Sequence, residues 1–78
     1  MQEMTFGQKA VGLTFNPGSN WLVSCIKEQF AIVIDTLNAQ REDATRKGNT
    51  EVVRMLSIAI TDAQTAQMWA VKAVTWQY

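Results

Sequence analysis

The chain has 78 residues with one cysteine and no histidine, which excludes an intrachain disulfide and a histidine-based metal or catalytic site. Seven basic residues balance seven acidic ones, and this zero net charge argues against binding of long nucleic acid. Hydrophobic residues make up 47% of the chain, which is high for one small domain and indicates self-association. No apolar run reaches the roughly 18 residues that cross a bilayer and no signal-peptide pattern is present, so we expect a soluble intracellular protein without a membrane partner.

Residues 1–19 carry no clear helical pattern. Val11, Leu13 and Phe15 alternate with smaller or polar residues, which is typical of an extended segment. The sequence therefore predicts a short N-terminal extended arm of about residues 1–19.

A turn follows the arm, at Phe15-Asn16-Pro17-Gly18-Ser19-Asn20. Pro17 presets a turn, and Ser19 or Asn20 can cap the next helix. Two interpretations remain open. The motif can be a helix-entry turn only, or it can hold an aromatic ring and an amide at a helix N-terminus suited to anions and bases.

The first long helix is predicted over about residues 20–44. Its predicted buried stripe consists of Leu22, Ile26, Phe30, Val33, Ile34 and Leu37. Gly48 then suits the residue after a helix end, and Asn49 or Thr50 can cap the second long helix, predicted over about residues 50–76. The short connection makes the two helices antiparallel.

The second long helix has three distinct faces. Its apolar core face consists of Val52, Leu56, Ala59, Ile60, Ala63, Ala66, Ala70, Val71 and Val74. A second apolar face, which we interpret as a subunit contact, carries Met55, Ile58, Trp69 and Trp76. Between these faces runs a polar stripe of Arg54, Ser57, Thr61, Gln64, Thr65, Met68, Lys72 and Thr75.

The polar stripe is unusual because it uses short uncharged hydrogen-bonding residues where a solvent face is normally dense in Glu and Lys. Arg54 can pair with phosphate through its planar fork, and Thr61 and Gln64 can hydrogen-bond base edges. The stripe can equally be a poorly charged exposed face, or a set of polar groups satisfied across an oligomer. Catalysis is not indicated, since no nucleophile lies beside a base and no glycine-rich phosphate loop is present.

The fold class that follows is all-α: one domain over residues 1–78, an antiparallel two-helix hairpin with the N-terminal extended arm. A hairpin of this kind buries one face of each helix and is marginal alone, so we expect a homo-oligomer.

Two motifs resemble a known family. Val11-Gly12-Leu13-Thr14-Phe15-Asn16-Pro17 and the run from Arg54 to Ala73 look like the helical-hairpin domain of the phage anti-CBASS and Thoeris anti-defence sponges. The resemblance covers about Val11 to Trp76. It implies a non-enzymatic phage protein without a cofactor, acting in the host cell cytoplasm as an oligomer, typically a hexamer.

The resemblance further implies that the protein sequesters cyclic oligonucleotide messengers and leaves them intact. Some members hold cyclic dinucleotides at one kind of site and cyclic trinucleotides at another, and some bind cyclic ADP-ribose isomers. Carried over by motif, the ligand-binding residues are Phe15, Asn16 and Pro17 in the turn. On the second long helix they are Arg54 and Thr61 with Gln64 beside them, and Ser57 is added from the polar stripe. Lys27 matches no motif and is added as a phosphate partner.

Two alternatives to a sponge remain. The first is a structural or regulatory helical oligomer that binds another protein through Trp69 and Trp76. The second is a phosphodiesterase that degrades the messengers, which has little support because the sequence offers no metal site and no histidine.

Overall fold

A computed structural model describes residues 3–77, and it is all-helical over that range. Helix α1 spans Phe6–Ala10, α2 spans Trp21–Arg46 and α3 spans Thr50–Val74. The described residues form no β-strand, which confirms the all-α class. None of their helices is long and apolar enough to span a membrane.

Helices α2 and α3 form the hairpin. At the end of α2, Gly48 has a φ of 71°, the Gly48 N–H donates to the carbonyl of Thr45, and the Asn49 N–H donates to the carbonyl of Ala44. This pair of bonds is a Schellman motif, which closes a helix on a left-handed glycine. The Asn49 side chain accepts the Val52 N–H as the N-cap of α3. Both features were predicted from the sequence, and α2 extends two residues beyond its predicted end.

The prediction of an extended arm over residues 1–19 is wrong for Phe6–Ala10, which form α1. Thr5 and Gln8 make a capping box, in which each side chain binds the backbone N–H of the other residue. Gly12, with a φ of 62°, ends the helix in a second Schellman motif. The alternating apolar pattern at Val11 and Leu13 therefore belongs to a helix end. Residues 1 and 2 of the predicted arm lie outside the described residues.

The core consists of Val11, Ala31, Ile34 and Ile60, which are 0–4% exposed. The predicted buried stripe of α2 is partly wrong, because Leu22 and Val33 are exposed. Helix α2 contacts α1 as well as α3, so its buried face is turned toward the side that both neighbours cover.

The hairpin and α1 lie in one layer. The Cα atoms span 47 × 33 × 12 Å. Two stacked layers of helices would need a thickness of about 13–15 Å, since helix axes pack 8–10 Å apart and each Cα cylinder has a radius of about 2.3 Å. A single layer leaves broad apolar surface in solvent, including Trp21, Ile32 and Trp69 at 65–71% exposure.

Candidate functional site

The candidate site is organised by the close approach of α1 to α2 at Gly7. The backbone N–H of Gly7 donates to Oδ1 of Asp35 at 2.7 Å. A Cβ atom at position 7 would overlap the carbonyl of Ala31 and lie 2.8 Å from the same Asp35 oxygen. Glycine is therefore required here, because only a residue without a side chain allows this approach.

Lys27 binds the connector between α1 and α2, which is residues 11–20. Its side chain reaches up from α2, and its Nζ donates to the carbonyls of Gly12 at 2.9 Å and Phe15 at 2.5 Å. The same ammonium lies 5.5 Å from the centroid of the Phe15 ring. Lys27 is only 5% exposed and has no ion pair with any carboxylate in residues 3–77. An ammonium has three donors, so one remains for a further partner.

Asn16 fixes the second half of the connector. Its Nδ2 donates to the Asn20 carbonyl and to the Ser24 hydroxyl, while its Oδ1 accepts the Asn20 N–H. Asn20 in turn accepts the N–H groups of Leu22 and Val23 as the N-cap of α2. Of the two caps that the sequence left open, Ser19 and Asn20, the structure has Asn20.

The main groove lies between α1, the connector and α3 and has a volume of about 860 Å³. It is lined by Lys9, Ala10, Val11, Gly12, Phe15, Lys27, Thr61, Gln64, Thr65, Gln67, Met68, Val71 and Lys72. Three of these residues are lysines and none is acidic. Lys9 lies 3.7 Å from Oε1 of Glu3, whereas Lys27 and Lys72 have no ion pair with a carboxylate among residues 3–77. The groove is therefore a local positive region in a chain with zero net charge.

Aromatic rings border the same region. Phe15 is 74% exposed, which leaves its ring available to a ligand. The Lys72 ammonium lies 5.2 Å from the Trp69 ring centroid and 5.6 Å from that of Trp76. Cation–π contacts at these distances hold the ammonium near the groove rim.

Four of the predicted site residues come together in the main groove: Phe15, Lys27, Thr61 and Gln64. Gln64 also reaches α1, where its Nε2 donates to the Ala10 carbonyl at 3.5 Å. Asn16 and Pro17 line an adjoining groove of about 560 Å³, which we call the connector groove. The two grooves share Phe15, Lys27 and Val71.

Arg54 and Ser57 lie outside both grooves, nearer the α2–α3 turn. The Arg54 guanidinium binds Glu51 through Nε at 3.1 Å and Nη2 at 2.5 Å. Hydrogen bonding from Arg54 lowers the pKa of Glu51, and Glu51 raises the pKa of Arg54. The Ser57 hydroxyl accepts a hydrogen bond from Nη1 of Arg41 at 3.2 Å. Helical spacing predicted that Arg54 and Ser57 share the polar stripe of Thr61. In the structure Arg54 pairs with Glu51, and Ser57 is bound by Arg41 from α2.

Sequence reasoning did not select Lys9, Gln67 and Lys72 as site residues. Lys9 enters the groove because the capping box makes residues 6–10 helical, and the Thr5-x-x-Gln8 pattern was the signal for that helix. Lys72 follows Thr61 and Met68 on the polar stripe, so its helical spacing was a usable signal. Gln67 lies seven residues after Ile60, on the core face of α3, whereas Gln64 lies on the polar stripe, so helical spacing was a usable signal for Gln67 as well.

The side chains of the main groove suit a small anion that carries planar groups. Ammonium groups attract phosphates, an exposed ring stacks on bases, and hydroxyl and amide groups hydrogen-bond base edges or sugars. Within residues 3–77, no three His, Cys, Asp or Glu residues are grouped so that they could hold a metal ion.

Comparison with family models gives a match to the Acb2/Tad1 hairpin domain over residues 8–75. The match begins inside α1 and ends just after α3, so it includes the main groove and the whole hairpin. Comparisons with curated proteins and with solved structures gave no match. Since the family model covers most of the chain, the protein belongs to the Acb2/Tad1 hairpin-domain family, the family of phage anti-CBASS and Thoeris anti-defence sponges.

Proposed function

We propose that this chain binds cyclic di- or trinucleotide messengers of the host in its main groove and sequesters them without cleavage, in the host cell cytoplasm. The observation that carries the proposal is the charge of the groove: three lysines line it and no carboxylate does. The family supplies the general role, that of a cyclic-nucleotide sponge. The groove supplies the phosphate-binding chemistry that this role needs.

Lys27 is the strongest single element of the proposed site. A buried ammonium without a carboxylate partner is costly unless something else compensates its charge. Two backbone carbonyls compensate it in part through their dipoles. A ligand phosphate at the groove floor would accept the third hydrogen bond and supply the missing negative charge.

Phe15, Thr61 and Gln64 give the groove its contacts to the remaining parts of a nucleotide. The Phe15 ring offers a stacking surface for a base. The Thr61 hydroxyl donates to the Ser57 carbonyl within α3, and its oxygen remains an acceptor for a sugar hydroxyl. Asn16 and Pro17 hold the connector that carries Phe15, and we assign them that supporting role in the connector groove.

Arg54 and Ser57 are proposed as part of a second site between copies of the chain. Arg54 is exposed, with a side chain 62% accessible, and Glu51 occupies only its Nε and Nη2. Its Nη1 is free to bind a phosphate delivered at a subunit contact. Symmetry brings equivalent Arg54 residues together, so each copy needs to contribute few groups.

We propose a homo-oligomer because the helices of one chain form a single layer. A hexamer is the assembly to test first. Domains normally bury their apolar faces between two layers of secondary structure. On α3 the exposed apolar face of Met55, Ile58 and Trp69 is 47–65% accessible, and Trp76, just after the end of the helix, is 58% accessible. A second copy packed on this face would supply the missing layer.

Isothermal titration of a panel of cyclic dinucleotides, cyclic trinucleotides and cyclic ADP-ribose isomers tests the function. At least one ligand should bind and be recovered chemically unchanged after heating the complex. At a free ligand concentration of 100 times Kd, binding should also stabilise the fold by about 2.7 kcal/mol. Absence of binding across the panel would reject the sponge assignment, and recovery of a linear product would reject sequestration without cleavage.

Two matched variants separate the two proposed sites. Lys72→Gln should weaken ligands of the main groove, whereas Arg54→Gln should abolish a different class of ligand and leave the groove ligands unaffected. Loss of the same ligands in both variants would mean that one site uses both residues. Full binding of every ligand by Arg54→Gln would remove Arg54 and Ser57 from the assignment.

Light scattering of Ile58→Glu tests the oligomer. A charge on the exposed apolar face should dissociate the assembly, because an unpaired carboxylate is costly to bury at a contact. Glu28→Gln, on the exposed surface of α2, is a control that should keep the parent mass. A monomeric parent, or an Ile58→Glu variant of unchanged mass, would contradict the proposed contact.

A further inference from the structure

Gln67 is a second buried polar residue at the floor of the main groove. It is 5% exposed, as buried as Lys27, and lies on α3 seven residues after the core residue Ile60. Its amide makes no hydrogen bond with any residue from 3 to 77. Buried polar side chains are almost always paired, because an unpaired buried amide costs about 1–3 kcal/mol.

The amide group itself opens to the groove. Gln67 is one of the lining residues, and no side-chain nitrogen or oxygen in the described chain is both sealed from solvent and unpaired. The buried part of Gln67 is therefore its carbon chain, packed within the hairpin. Its polar end is presented, without a protein partner, to the space beside Lys27.

We propose that Gln67 determines base specificity, by hydrogen-bonding the edge of a nucleobase seated in the main groove. This inference rests on the proposed function of the groove. It adds that Gln67 recognises one base of the ligand by hydrogen bonding. A carboxamide offers a donor and an acceptor side by side, which matches the base edges that also carry a donor beside an acceptor. Phosphate, which has acceptors only, would leave the Gln67 oxygen unpaired.

Lys27 and Gln67 thereby divide the recognition of the ligand. The ammonium binds charge and accepts any phosphate, whereas the amide requires a particular arrangement of hydrogen-bonding atoms. A site with a buried amide discriminates strongly against an analogue that lacks the matching group, because that analogue leaves the amide unpaired. The strength of the preference depends on how fully the seated base excludes water from the amide, which is open to the groove when no ligand is bound.

The test uses the full chain and two pairs of probes. The probes are 3′,5′-linked cyclic dinucleotides of adenosine and of guanosine, each compared with its analogue lacking the exocyclic N6 amino group or O6 oxygen. The parent should prefer at least one natural base over its analogue by between about five-fold and 100-fold, the range of one bidentate base contact. Gln67→Leu should bind both members of that pair with the same affinity.

Controls keep the outcome specific. Gln40→Leu changes an exposed glutamine of α2 and should keep the parent preference. Gln67→Leu should melt close to the parent temperature, because the Gln67 amide has no hydrogen-bond partner among residues 3–77 to lose. If it does not fold, Gln67→Met repeats the test with an unbranched side chain of similar length.

Three results would overturn the inference. The first is a Gln67 variant that keeps the parent's preference for the natural base, which would leave the groove's function intact. The second is a Gln67 variant that dissociates into monomers with its base preference unchanged, which would assign the amide to a subunit contact. The third is a parent that binds none of the probes or panel ligands, which would reject the proposed function together with this inference.

Discussion

The two ends of the hairpin carry similar numbers of cations and use them differently. At the end formed by the α2–α3 turn, Arg46 and Lys47 both pair with Asp43, and Arg54 pairs with Glu51. At the opposite end, Lys27 and Lys72 contact carbonyls and aromatic rings and have no ion pair with a carboxylate among the described residues. Lys9, the third groove lysine, lies 3.7 Å from Oε1 of Glu3 in an exposed ion pair. The turn end is therefore neutralised locally, whereas Lys27 and Lys72 keep their charge at the groove end.

This difference explains how a chain of zero net charge can bind an anion. Potential at a site depends on which charges remain uncompensated nearby, and solvent screens charges more than about 8–10 Å away. The carboxylates that balance the total charge lie mostly on other surfaces, and none lines the main groove. The pairing of charges along the chain therefore locates the candidate site better than the total charge does.

The largest effect on stability and binding is expected from Gly7→Ala, which would move α1 away from α2 and so disrupt the main groove. The added Cβ would overlap the Ala31 carbonyl, which is backbone within α2 and cannot move aside as the end of a flexible side chain could. We expect a loss of stability of about 3 kcal/mol, as for severe overpacking, together with loss of groove ligand binding. Urea denaturation and isothermal titration measure the two effects.

Gly18→Ala is the matched control for that variant, because no atom lies within 4 Å of the position where its Cβ would stand. It should be close to the parent in both measurements. Equal stability of Gly7→Ala and Gly18→Ala would contradict the tight docking of α1 on α2.

A comparison of Lys27→Met with Lys47→Met tests the two ends directly. Lys27→Met leaves the Phe15 carbonyl without its ammonium donor and the Gly12 carbonyl with only the Phe15 N–H, which should cost about 1–3 kcal/mol and reduce ligand affinity at least ten-fold. Lys47→Met removes an exposed ion pair with Asp43, and exposed pairs contribute little. Its binding should equal that of the parent. Equal effects of the two variants would contradict the distinction between the ends.

Much of the turn end could be predicted from the sequence because its signals are local. Gly48 and Asn49 act through backbone bonds within a few residues, and both perform their predicted roles. The hairpin and the family followed from helical periodicity and from the motifs around Phe15 and Arg54. These features need no knowledge of distant contacts.

The groove end was harder to predict because it depends on contacts between distant residues. The bond from Gly7 to Asp35 joins positions 28 apart, and that from Gln64 to Ala10 joins positions 54 apart. Without them, Phe6–Ala10 was interpreted as extended, and the groove residues Lys9 and Gln67 were not recognised. The capping box at Thr5 and Gln8 was a local signal for α1 that the alternating apolar pattern obscured.

The smallest effect is expected at the turn end, in the acid dependence of stability. Hydrogen bonding and charge attraction from Lys47, with a further contribution from Arg46, lower the pKa of Asp43 below its ordinary value of 3.8. A carboxylate with a lowered pKa in the folded state adds stability above its unfolded pKa, and this stability is lost as the pH falls through the folded pKa. The free energy of unfolding should therefore decrease below about pH 4, and Asp43→Asn should decrease less.

The difference between parent and Asp43→Asn isolates this carboxylate from the others that titrate in the same range. Urea midpoints at pH 7 and pH 3 measure this difference in stability. It should be small, because the Asp43 side chain is 43% accessible and solvent screens its ion pairs. Ligand affinity at pH 7 should be the same in both proteins, since Asp43 lies at the neutralised end of the hairpin. A variant that binds more weakly than the parent would show that the turn end influences the groove, and the distinction between the two ends would then fail.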